Sequence, residues 1–118
     1  MKDSIQLTYV EDGKTYHGEI NRSFFLYRMQ HIVNWFPGCN DNAVKLCELI
    51  PKIDCITINR DIIDTQDVPF IIYRNVGEDT ENCLKFCQPY QIIWSFFLHL
   101  CEEAKQNSNN YLEKRMPI

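Results

Sequence analysis

Residues Gln88 to Lys105, QPYQIIWSFFLHLCEEAK, constrain this chain more than any other stretch. Between Ile92 and Cys101 only Ser95 and His99 are polar, so a helix here is apolar on nearly every side, wider than the single stripe of a surface helix. Such a helix has to lie centrally or between two partners. Pro89 suits its first position, where a missing N–H costs nothing, and Asn107-Ser108-Asn109-Asn110 suits its end. Tyr90, Trp94, Phe97 and Cys101 share the expected inward face, and Ile92, Phe96 and His99 flank it. The apolar run is about ten residues, well under the roughly 20 that a membrane span needs, so no membrane role is expected.

With 118 residues, 45% of them hydrophobic, the chain has enough apolar material to close one modest core. Residues 1–106 are expected to form a single domain and residues 107–118 a polar tail. A net charge of −4 and a pI near 5.3 argue against a phosphate-backbone binder, because nonspecific nucleic-acid affinity is built from clustered Lys and Arg. The opening residues MKDSIQLTYVEDGK contain no apolar run of secretory-signal length, which predicts a cytoplasmic or nuclear protein. In that setting the six cysteines are expected to be reduced and mostly buried.

Residues 4–20 read as a β-hairpin. Ile5, Leu7 and Tyr9 alternate on one strand, Asp12-Gly13 supplies the turn, and Tyr16 and Ile20 continue on the return strand, with His17 and Glu19 on the opposite side. Asn21 or Ser23 can cap a helix that buries Phe25, Met29, Ile32, Val33 and Phe36 and stops at Pro37-Gly38. Phe24, Tyr27, His31 and Trp35 form a second, partly aromatic flank of that helix. Burial is the first expectation for this flank and a partner-binding face the second.

Ala43-Val44-Lys45-Leu46-Cys47 reads as a short buried strand, broken at Leu49-Ile50-Pro51. Ile56 and Ile58 then alternate like a strand, while Ile62, Ile63, Val68 and Phe70 to Ile72 fit either a helix or a second strand, and Pro69 fits a helix start or an edge strand. Gly77 to Asn82 is an acidic loop without the spaced oxygen ligands of a calcium site. Leu84 and Phe86 alternate as a short strand before the apolar helix.

Chemistry-bearing patterns are weak. Cys83 and Cys87 have three residues between them and no C-x-x-C pair exists, which disfavours zinc and predicts no metal. Cys39 stands beside Asn40 and Asp41, a setting that disfavours a reactive thiolate, and His17, His31 and His99 fall on unrelated elements. His99 reads as a core or boundary histidine, or as a hydrogen-bonding anchor in an interface. The four glycines lie too far apart for a nucleotide loop, so no cofactor is expected.

The order hairpin, helix, short strand, undecided middle, short strand, long apolar helix resembles the minimal BTB/POZ fold of the elongin C and S-phase-kinase-associated adaptor group. Ser4-Ile5-Gln6-Leu7 with Asp12-Gly13 and Tyr16, Val44 to Pro51, and Leu84-Lys85-Phe86 running through Pro89 into Ile92-Ile93 carry the resemblance. A second register takes Ala43-Val44-Lys45-Leu46 as the family's opening strand and residues 56–77 as its first helix. The resemblance implies a non-enzymatic interaction module that self-associates or bridges a scaffold such as a cullin to another subunit of a ubiquitin ligase complex.

An α+β domain is therefore expected, with a β-hairpin and short strands packed against helices. A ubiquitin-like β-grasp is the alternative, because residues 5–33 also fit its strand-strand-helix opening; residues 70–73 in a mixed sheet would favour it. A redox or hydrolytic protein built on Cys39 is the third reading. The expected partner is another protein or a second copy. Ile92, Phe96 and His99 on the apolar helix, with Tyr27, His31 and Trp35 on the earlier one, are the candidate partner-binding residues.

Overall fold

The computed structural model describes residues 3–36, 41–65, 68–86 and 91–115, with side chains in the last segment as far as residue 107. The first hairpin pairs β1 (Ser4–Glu11) with β2 (Lys14–Asn21) in continuous antiparallel register from Ser4↔Asn21 to Glu11↔Lys14. Asp12 and Gly13 both have positive φ, 53° and 73°, as a two-residue turn matched to strand twist requires. The carboxylate of Asp61, far along the chain, accepts from both turn amides at 2.8 and 2.9 Å. A local turn preference is thereby tied to the tertiary fold.

Asn21 ends β2 and caps α1 (Arg22–Trp35), its side-chain oxygen accepting from the Phe24 amide at 2.8 Å. Helix α2 (Asp41–Leu49) and a 3-10 turn (Ile50–Lys52) complete the crossover that lets β3 (Ile53–Asn59) run parallel to β1. Arg22 holds this junction together, donating to the carbonyls of Ile50 and Ile53 at 2.7 and 2.6 Å. After a single turn, α3 (Arg60–Ile63), strands β4 (Phe70–Asn75) and β5 (Asn82–Lys85) extend the sheet antiparallel. The sheet order is β2-β1-β3-β4-β5, mixed and five-stranded. The long helix α4 (Gln91–Arg115) packs across β2 and β1.

The core follows the strand alternation. Ile5, Leu7 and Tyr9 of β1, Ile56 and Ile58 of β3, and Ile71 and Tyr73 of β4 point to the helices, which contribute Phe25, Met29, Leu46, Ile93, Phe97 and Leu100. Among the described residues no polar or charged residue is buried. Where α1 and α4 converge, Phe97 meets Phe86 and Phe25 at ring-centroid distances of 5.4 and 6.1 Å. Tilted and edge-on rings at these distances add to the area they bury. At the other end, Tyr9 donates to Glu11 at 2.8 Å and Lys105 to the same carboxylate at 2.7 Å, fastening α4 to β1.

Several sequence expectations are corrected. Residues 43–47 are helical: Ala43 and Leu46 are buried three positions apart while Val44 is exposed, a helical period that a five-residue apolar run conceals. Residues 56–65 and 68–77, taken as one helix in the second register, run instead as the end of a strand, one helical turn and a further strand. Phe36 is the exposed C-cap of α1 and not part of its buried face. Helix α4 continues through Asn107–Asn110 to Arg115. Of the four described cysteines, Cys101 is buried, Cys47 and Cys55 are half-buried and Cys83 is exposed, all as free thiols. Pro89, Tyr90, Cys39 and Cys87 lie outside the described residues.

Candidate functional site

Helix α1 has two apolar faces, and the sheet can take only one. Phe25, Met29 and Ile32 are buried beneath it, which leaves Phe24, Tyr27, His31 and Trp35 along the opposite side. Tyr27 is 64% and Trp35 66% exposed. The His31 ring stands between them, 6.2 Å from Tyr27 and 5.7 Å from Trp35, as the four-residue spacing of a helix face dictates. The first expectation for this flank, burial, is overturned: the core is filled before the flank is reached.

Beside this aromatic line, α1 and α4 diverge to leave an open groove of about 460 Å3. Arg28, His31, Ile32 and Phe36 line it from α1, and Ile92, Ser95, Phe96 and His99 from α4. Ile92 is 40% exposed at the rim, whereas Phe96 is only 7% exposed. Phe96 serves as the floor of the groove, its ring packed 5.8 Å from that of Phe25. His99 is neither core nor boundary: its side chain is exposed, with Nε2 3.1 Å from Glu103 one turn on. Trp94, expected inward, is half-buried against Phe97.

Four of the six residues singled out from the sequence, His31, Ile92, Phe96 and His99, therefore line one groove, and Tyr27 and Trp35 flank it. Arg28 was not among them. Its guanidinium lies 5.6 Å from the centre of the Phe96 ring, a cation–π placement that leaves its edge free to donate. The available signal was a charge pattern: α1 contains no carboxylate, and α4 none before Glu102. No hydrogen bond joins Ser95 to His31 or His99 among the described residues.

The Tyr9–Glu11–Lys105 cluster is mutually satisfied; the Lys105 and Tyr9 hydrogen bonds hold the Glu11 carboxyl below its ordinary range. Burial pushes the neighbouring Cys101 thiol up to about 12, well away from thiolate chemistry. A crevice of about 30 Å3 between β2 and α4 is water-sized. No described helix is long and apolar enough to cross a membrane. No protein-family model, curated protein or solved structure matches this chain.

Proposed function

We propose that this chain is a non-enzymatic protein–protein interaction module, an adaptor or oligomerisation domain whose contact face is the aromatic line of α1 together with the α1–α4 groove. The observation that carries this reading is the exposure of Phe24, Tyr27, Trp35 and Phe36 on one helix and its cap, continuous with Ile92 across the groove. Scattered exposed apolar residues are ordinary, but a contiguous aromatic set marks an interface far more often than a defect. Tyr and Trp are also the residue types that most often dominate binding energy when a partner buries them.

The adaptor role in a ubiquitin ligase complex is the narrower form of this reading and rests on the BTB/POZ resemblance. The β-grasp-like alternative draws support from a specific observation, the incorporation of residues 70–73 into a mixed sheet beside β3. Either reading makes the chain a binding module.

The test compares the wild-type protein with Tyr27→Ala and Trp35→Ala, bound to partners recovered from cells and then titrated pure. Both side chains are exposed, so melting temperatures stay within about 2 °C of wild type, as surface substitutions do. Loss of an interface anchor costs about 2 kcal/mol, roughly a 30-fold weaker Kd. Unchanged affinity in both variants refutes this face as the contact surface.

A further inference from the structure

Resting on the reading of the α1–α4 face as a protein contact, we infer that its occupant is an acidic amphipathic helix: a segment with aliphatic or aromatic anchors one turn apart and carboxylates along their border. Charge is the first argument. The protein carries a net charge of −4, yet the groove lining contains no carboxylate and one guanidinium, Arg28; of its two imidazoles, His31 and His99, the second already faces Glu103 at 3.1 Å. Arg22, the other cation of α1, is turned away to the carbonyls of Ile50 and Ile53. Arg28 has no carboxylate partner among the described residues; its guanidinium lies 5.6 Å from the centre of the Phe96 ring, and a guanidinium so placed can still take a carboxylate in bidentate fashion.

Shape is the second argument. The groove is bounded by two helices, and its apolar floor of Ile32 and Phe96 is continuous with the Tyr27–His31–Trp35 line. From Tyr27 to Trp35 that line spans roughly 12 Å at 1.5 Å per residue, about two turns of a partner helix. A third helix laid against two others seats its anchors at i, i+3, i+4 and i+7, the usual helix-in-groove mode. A second copy docked by the same face around a two-fold axis would offer Arg28 no carboxylate, since neither α1 nor the groove lining carries one. The electrostatics therefore favour a different, acidic chain.

The experiment pans the full-length protein against a displayed library of 18-residue helical peptides with fixed Leu and Phe anchors and randomised border positions. Enriched peptides are titrated by fluorescence anisotropy against wild type, Arg28→Glu and Arg28→Gln, with circular dichroism and melting curves verifying the fold of each variant. Enrichment of Asp and Glu at the border is expected, with binding weakened at least tenfold by Arg28→Glu and less by Arg28→Gln. Tyr27→Ala should weaken the same peptides. Groove-dependent enrichment of neutral or basic borders overturns the acidic occupant while leaving the interaction reading intact. Failure to enrich any peptide sensitive to Tyr27→Ala or Arg28→Glu overturns both. Concentration-dependent dimers in sedimentation that Arg28→Glu abolishes place a second copy in the groove and overturn the inference.

Discussion

Gly18 lies where β2 passes beneath α4, and the position of the whole helix depends on its missing side chain. A Cβ built there falls 2.9 Å from Ala104 Cβ and 3.4 Å from Ala104 Cα. Carbon atoms pack best at about 3.5–4.0 Å, so Gly18→Ala pushes α4 outward or bends β2. Overpacking of this kind costs about 1–3 kcal/mol. Gly18 does not have positive φ, so alanine incurs no backbone strain and recovers about 0.4–1 kcal/mol from a less flexible unfolded chain. The expected net loss is about 1–2 kcal/mol, or about 4–8 °C in Tm at this chain length. Ala104→Gly, measured alone, loses about 1 kcal/mol from its helical backbone. In the double variant the shortest clash is gone, so the two losses should combine to less than their sum by at least about 1 kcal/mol. Urea denaturation of the four proteins completes the cycle. Additive losses, or an unperturbed Gly18→Ala, would refute the claim that this close approach seats α4.

The remaining predictions concern titration and reactivity. The Glu11 carboxyl has a folded pKa below its unfolded one, so its contribution is complete above the ordinary carboxylate range and disappears as pH falls through the folded value. Glu11→Gln should therefore flatten the acid limb of a stability–pH curve measured by urea midpoints; an acid limb as steep as wild type would remove this assignment. In native protein at pH 8, peptide mapping after iodoacetamide should find Cys83 labelled and Cys101 untouched until denaturant is added, since one thiol is exposed and the other is buried and held protonated. Early labelling of Cys101 would mean that α4 opens readily from the sheet.

Much of the fold is legible in local pattern where period and punctuation agree. The hairpin is written twice, in the alternation Ile5-Leu7-Tyr9 and in Asp12-Gly13, and both signals act within the paired residues. Alternation alone points to the strands around Ile56 and Leu84, while the residues from Ile62 to Ile72 fit helix or strand equally well. Residues 43–47 are not, because a five-residue apolar run satisfies strand and helix alike and only packing against α1 decides. The end of α4 is misread because Asn and Ser weaken a helix without stopping it. The candidate site is half legible: composition marks α1 and the apolar helix as holding more aromatic residues than a small core absorbs. Which of them remain outside depends on the three-dimensional order of packing, and so Phe96 became floor while Tyr27 and Trp35 stayed in solvent. Arg28 acquires meaning only once α1 and α4 are side by side.

The claim that the α1–α4 face meets another protein is tested most directly by photocrosslinking in living cells. Benzoylphenylalanine is placed at Tyr27, on the aromatic line, and in a separate protein at His17, exposed on the opposite, polar face of the sheet. Irradiation should yield discrete higher-mass adducts from position 27, reduced by Trp35→Ala in the same chain, and none above background from position 17. Adducts from position 17 alone, or equal adducts from both, would contradict the account and move the working surface to the other side of the molecule.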